Sequence, residues 1–177
     1  MMPSRSRGII MAKIEARLSE LGLVLPAPPT PMGAYVPALT VGNLVFISGQ
    51  LPREGDRLAV KGKVDTEVRV GHARQGARLA GLNCLAVLKA EIGDLDRVKR
   101  IVRLTGHVAS VPGFIGQPEV MNGASELMVE VFGERGRHTR MTLGVPVLPS
   151  DATVAVEMIA EIEQKALKHK GTKTRKR

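Results

Sequence analysis

The sequence predicts an α+β fold in which two long helices cover one face of a mostly antiparallel β-sheet. Short segments typical of strands lie before a long amphipathic helix and return after it, up to the end of the chain's central part. A second amphipathic helix separates the last strands from the middle one. The chain has 177 residues, enough for one such domain to bury roughly two-thirds of its unfolded surface without a metal or disulfide.

The first elements are a helix, a proline-rich connector and a hairpin. Apolar residues recur at helical spacing over residues 12–22, and Gly22 is a suitable stop. The stretch LPAPPTPMG that follows is predicted to be extended, because proline fits neither a helix interior nor a central strand. Next, LTVGNLVFISGQLP contains two apolar segments separated by Gly42-Asn43, which predicts a β-hairpin.

The two long helices are predicted at about residues 68–91 and 117–132, with a strand at 98–110 between them. Arg74 and Arg78 are expected to face water. The inward stripe of the first helix comprises Ala73, Ala77, Ala80, Cys84 and Leu88, and that of the second comprises Met121, Ala124, Met128 and Val131. The single cysteine excludes an internal disulfide and is expected to be a small buried apolar residue.

The stretch RHTRMTLGVPVLPSDATVAVEMIAE predicts two strands joined by a tight turn at LPSD, and therefore a closing hairpin. Alternation divides the second strand into two faces. One face carries Val154, Val156, Met158 and Ala160, and the other carries Thr153, Ala155, Glu157 and Ile159.

Several strands are apolar on both sides. In LVFIS, Leu44 and Phe46 point opposite to Val45 and Ile47. Two helices can cover only one face of the sheet, and the other apolar face also needs a cover. The most economical cover is another copy of the chain, so we expect a homo-oligomer.

The formal net charge of +9 is concentrated at the two ends. Residues 165–177 hold seven basic and no acidic residues, residues 1–7 hold two more, and the part between is balanced with 17 of each sign. We predict a flexible extension at 1–11, a single domain at 12–163 and a basic disordered tail at 164–177. The balanced body argues against a dedicated nucleic-acid binder.

The sequence lacks the motifs GxxxxGK[ST], GxGxxG and HExxH, and its four histidines are scattered. Phosphate-cradle, dinucleotide and zinc-site hypotheses therefore have no support, and we expect no cofactor and no metal. No apolar run approaches the ~20 residues of a membrane helix. Without a secretory signal at the start, the expected location is the cytoplasm; two early arginines leave an organellar transit peptide as the alternative.

Four short stretches remain: GAYVPA, ISGQLP, QPEVMNGASELM, and TRMTLGVPVLP followed by VAVEMIAEI. In this order they resemble the Rid family (reactive intermediate deaminases, also called YjgF), in the branch often labelled endoribonuclease L-PSP. The resemblance covers residues 26–162. It implies a chorismate-mutase-like (YjgF-type) fold, here with an extra N-terminal helix, and a homotrimer whose active sites lie between subunits. The best-known members hydrolyse imines and enamines formed from amino acids to a keto acid and ammonia.

The family's arginine corresponds to Arg140, whose planar guanidinium matches the carboxylate of a 2-imino acid. The alternative for this residue is a structural ion pair. The resemblance places further residues along the cleft as substrate-binding candidates, namely Tyr35, Ser48, Gly49, Asn122 and the backbone at Thr142.

The chain departs from the family at one position. Deaminase members carry a water-orienting glutamate seven residues beyond the leucine of LP, where this chain has Ala155. Glu157 points to the same side but lies roughly 6.5–7 Å further along the strand. The catalytic candidates are therefore Arg140 and Glu157.

The leading hypothesis is a hydrolase that deaminates 2-imino or enamino acids. The alternative is a non-catalytic protein that binds or senses small carboxylates such as 2-keto acids. Weak RNA binding or ribonuclease activity, suggested by the family label and the basic tail, is the third.

Overall fold

The computed structural model describes residues 13–31 and 33–163. The predicted N-terminal extension and basic tail lie outside the described residues. The helices are α1 (Lys13–Glu20), α2 (Val70–Ile92) and α3 (Gln117–Phe132). The strands are β1 (Ala38–Val41), β2 (Leu44–Gln50), β3 (Arg53–Glu54), β4 (Arg57–Leu58), β5 (Val98–Ala109), β6 (Thr139–Val145) and β7 (Val154–Ile162).

Five strands form one sheet in the order β1-β2-β7-β5-β6, and β3 and β4 form a separate small hairpin. All neighbours in the large sheet are antiparallel except β5 and β6, which are parallel. Helices α2 and α3 pack against each other and against this sheet. The predicted α+β class and mostly antiparallel sheet are therefore confirmed.

The predicted closing hairpin is wrong. Strands β6 and β7 are joined by a tight turn at Pro149–Asp151, but they do not pair, because β5 lies between them and pairs with both. Helix α3 is a crossover that returns the chain parallel to β5, and a parallel strand needs such a connection. Strand β6 then takes the sheet edge, while the fully buried alternate residues of β7 suit a central position.

The helix stripes predicted from spacing are confirmed. All their apolar residues are buried in one core between the helices and one face of the sheet. Burial raises the pKa of the Cys84 thiol, with a smaller contribution from the charge of Glu157, as expected for an unreactive core cysteine. Arg74 and Arg78 lie partly exposed but also form ion pairs that join α2 to α3.

The opposite face of the sheet remains apolar and uncovered in the described chain. The alternation predicted for β7 is confirmed, with Glu157 exposed and Met158 buried. Five large apolar side chains on this open face are each between 42% and 57% exposed, namely Leu39, Val41, Phe46, Met141 and Leu143.

Among the described helices, none combines the length and apolarity needed to cross a membrane.

Candidate functional site

Arg140 lies on the edge strand β6, and its guanidinium is held by helix α3. It pairs in register with the buried Leu104, so its side chain starts on the helix-covered side of the sheet. Its Nη1 donates to Asn122 Oδ1 at 2.9 Å and to Ser125 Oγ at 3.1 Å. Two neutral acceptors thus fix the orientation of the guanidinium, and two of the site candidates, Arg140 and Asn122, are in contact.

No carboxylate in residues 13–31 and 33–163 lies within 4.0 Å of this guanidinium, as shown by the ion pairs that the described chain forms. The nearby acids Glu126 and Glu130 are paired with Arg74 and Arg78. The alternative of a structural ion pair therefore has no partner in the described chain. Among the described residues, Arg140 is thus a positive charge without a counter-ion.

His138 extends the Arg140 network through Ser125. Its Nε2 lies 3.0 Å from Ser125 Oγ, and its Nδ1 lies 2.6 Å from the carbonyl oxygen of Gly136. A carbonyl can only accept, so Nδ1 carries the proton and Nε2 accepts from the serine hydroxyl. Burial lowers the pKa of His138, and the charge of Arg140 lowers it further, which agrees with a neutral ring. Sequence reasoning missed Ser125 and His138, although His138 lies two residues before Arg140, just ahead of β6.

His138 should give the protein a measurable pH dependence of stability. Because its pKa is lower in the folded protein than the ordinary value of 6.5, the unfolded chain binds this proton first as pH falls. The contribution of His138 to the free energy of unfolding is complete above pH 6.5, and it is lost as pH falls through the pKa of the folded protein. We expect His138→Gln to reduce the fall in melting temperature between about pH 7.5 and 5. Identical slopes in the two proteins would contradict this assignment.

A second group of predicted residues lines a cleft of about 530 Å³ at the other side of the sheet. Strand β2 carries one extra residue between its pairs with Met158 and Val156, so Ser48 and Gly49 face Glu157 together. Such a bulge re-aims side chains. We call this region the bulge cleft and define it by Tyr35, Ser48, Gly49, His107, Ala155 and Glu157.

The structure of one chain does not bring the two groups together. Arg140 and the bulge cleft lie on opposite faces, and β6 and β2 are three strand spacings apart, about 14 Å. We call the first group the arginine half-site and define it by Asn122, Ser125, His138 and Arg140. Thr142 lies beside it on β6, and its buried hydroxyl has no hydrogen-bond partner among the described residues.

Ala155 lies at the floor of the bulge cleft, 8% exposed. Directly across from it on β5 is His107, which lines the same cleft. Sequence reasoning missed His107, because strand register alone brings it to this position.

Residues 15–162 match a protein family described as "YjgF/chorismate mutase-like, putative endoribonuclease". The chain belongs to this family, and the predicted resemblance and chorismate-mutase-like fold are confirmed. A relative, protein TCP17 of Trypanosoma cruzi, is 38% identical over 155 residues, covering 87% of this chain and 97% of that protein. A 2-iminobutanoate/2-iminopropanoate deaminase of Dermatophagoides farinae is 30% identical over 141 residues, covering 78% and 93%.

Solved structures agree with the fold. A protein of unknown function from Agrobacterium tumefaciens is 46% identical, with a TM-score of 0.79 and coverage of 85% of this chain and 94% of that one. A "putative endoribonuclease" from Shewanella oneidensis is 38% identical, with a TM-score of 0.82 and coverage of 84% and 99%. Escherichia coli TdcF with bound serine shares the fold at 22% identity, with a TM-score of 0.55 and coverage of 79% and 96%.

Proposed function

We propose that the protein is a hydrolase that deaminates reactive 2-imino and enamino acids, with Arg140 as the anchor for their carboxylate. The observation that carries this proposal is the guanidinium of Arg140, which is oriented by two neutral acceptors and has no carboxylate partner in the described chain. The deaminase relative from Dermatophagoides farinae supports the choice of substrate class. The serine bound to TdcF is itself a small carboxylate, which agrees with this choice.

The orientation of Arg140 suits a carboxylate. Only Nη1 is used in hydrogen bonds to the described residues, which leaves Nη2 and Nε for a ligand. These two groups form the planar fork that binds a carboxylate through two parallel hydrogen bonds. Because the guanidinium is held in advance, less conformational entropy is lost when the ligand binds.

Two half-sites on one chain become a complete site if subunits join. We therefore propose a cyclic homotrimer in which the arginine half-site of one subunit meets the bulge cleft of the next. The outer edge of β6 has no neighbouring strand in the described chain, and the open face of the sheet carries the five exposed apolar residues defined above. A closed ring of subunits would remove both the free edge of β6 and these five apolar side chains from water.

The trimer can be tested in solution. Light scattering should return about three times the chain mass of 19.0 kDa. Replacing Phe46 and Leu143 together by aspartate should shift the protein toward the monomer, because two charges would enter an apolar interface. As a control, Val24→Asp changes an exposed apolar residue next to α1, away from the open face and from the arginine half-site, and should leave the mass unchanged. A stable monomer of the unaltered protein would contradict the proposal.

The reaction is the addition of water to a C=N bond. A 2-imino acid and water give a 2-keto acid and ammonia, so no redox partner is needed. In the assembled site the carboxylate binds Arg140, and the backbone at Thr142 and around Gly49 holds the imine end. Glu157, opposite the bulge, lies near that end and is the carboxylate candidate for handling protons there.

A second function is favoured by Ala155. An alanine cannot orient water, and a pocket with the arginine anchor alone would bind small carboxylates or 2-keto acids without turning them over. Such a protein would act as a binder or sensor of these acids.

One assay separates the two functions. An amino-acid oxidase generates 2-iminopropanoate from alanine, and its decay is followed with and without the protein. Faster decay supports the hydrolase. Unchanged decay together with binding of pyruvate in a calorimeter supports the binder, and the absence of both effects contradicts the carboxylate site.

A further inference from the structure

His107 lies beside the position at which the resemblance leads us to expect a glutamate and this chain has Ala155. It pairs with Ala155 across strands β5 and β7, and both residues point to the open face of the sheet. The Cβ atoms of such a pair are about 4.5–5.5 Å apart. Glu157 is two residues further along the strand, roughly 6.5–7 Å from Ala155. On the neighbouring strand β5, the side chain directly across from Ala155 is therefore an imidazole.

The two histidines near the proposed site differ in their hydrogen bonds. Both ring nitrogens of His138 are engaged, by Gly136 and Ser125. Within the part of the chain that the structure describes, neither ring nitrogen of His107 makes a hydrogen bond. The ring is partly exposed and lines the bulge cleft. An uncommitted imidazole in a cleft has a lone pair available for a water molecule.

We propose that His107 is the general base that activates the attacking water, in the space that the small side chain of Ala155 leaves. This inference rests on the proposed hydrolase function. Imidazoles titrate near neutral pH, where a general base is most effective. Other ionisable groups that line the cleft are Tyr35 from the connector, Arg53 from β3 and Glu157 from β7, and Arg103 lies further along β5 on the same face.

The proton transfers follow from this placement. His107 takes one proton from water as the water oxygen bonds to the imine carbon, and the imine nitrogen receives the π electrons with a proton from solvent. The imidazolium then protonates the amino group of the tetrahedral intermediate. The C–N bond breaks with its electron pair on ammonia, and the C=O bond forms as the hydroxyl proton leaves to solvent. The imidazole of His107 is then neutral again and can act in the next turnover.

The test is the pH profile of kcat/KM for 2-iminopropanoate in the full-length protein and three variants. The unaltered protein should lose activity as pH falls, because protonation of the imidazole removes the base, and this loss forms the acidic limb of the profile. His107→Gln should lower kcat/KM about 10²-fold or more and abolish that limb. Glu157→Gln should keep the limb. His72→Gln alters an exposed histidine on α2 outside the cleft and serves as the matched control.

Pyruvate binding and oligomer mass, measured on every variant, show whether the site survives the substitution. If His107→Gln impairs folding, His107→Asn gives the same comparison with a smaller side chain. An active unaltered protein whose rate and limb survive both His107 substitutions would overturn the base assignment alone. An acidic limb that survives His107→Gln and disappears in Glu157→Gln would assign the base to Glu157 instead. An unaltered protein that does not hydrolyse the imine would overturn this inference together with the proposed function.

Discussion

Arg140→Ala is expected to abolish the binding of small carboxylates. Each hydrogen bond to a charged group contributes about 1.5–3 kcal/mol, so losing a bidentate pair should weaken binding by about 100-fold or more. Calorimetric titration with pyruvate measures this directly, and the rate of imine hydrolysis should fall with it. Asn122 and Ser125 would lose one hydrogen-bond donor, but both are only partly buried and can bind water.

Arg137→Ala is the matched control for Arg140→Ala. Arg137 lies near the same half-site but is exposed and paired with Glu134. Removing it changes the net charge equally without removing the proposed anchor. Pyruvate binding that persists in Arg140→Ala, or that falls equally in both variants, would show that general positive charge and not the anchored guanidinium holds the ligand.

Ala155→Glu should raise imine hydrolysis, and its effect should depend on His107. In His107→Ala the new carboxylate takes over activation of the water and should recover a large part of the loss, which is of the order of 10²-fold. With His107 present the gain should be smaller, because a base is already there. The double-mutant cycle over these two positions should therefore be non-additive.

Two outcomes would count against this expectation. A gain from Ala155→Glu that is the same with and without His107 would mean that the two groups act independently. A glutamate variant that assembles normally, binds pyruvate and still shows no gain in either background would mean that the bulge cleft does not hold the attacking water. Because Ala155 is buried, oligomer mass and melting temperature must accompany the kinetics.

The spacing of apolar residues along the sequence predicts the helices and strands well. The apolar stripes of α2 and α3 located both helices to within about two residues, and alternation assigned the two faces of β7, because both signals depend only on neighbours along the chain. The pairing of strands is not local. The sequence predicts the turn at Pro149–Asp151 correctly, but it does not predict the strand pairing, because β5 lies between β6 and β7 and pairs with both.

The residues of the candidate site also fall into two groups, those identified from the sequence and those found only in the structure. Arg140 and Asn122 were identified by resemblance, and the structure places them in hydrogen-bond contact. Ser125 and His138 complete that network but carried no motif. His107 could not be found from its surroundings in sequence, since its importance comes from the residue across from it on another strand. Resemblance points to residues that a family shares, whereas a pairing between two strands is visible only in three dimensions.

The separation of the arginine half-site from the bulge cleft has a genetic consequence. In the proposed ring each active junction draws its anchor from one subunit and its base from the neighbour. Two defective alleles, one changed at Arg140 and one at His107, would then assemble mixed rings in which some junctions unite the intact half of each product. A cell carrying both alleles would regain activity that neither allele supplies alone, whereas two alleles that alter the same half-site would not complement each other.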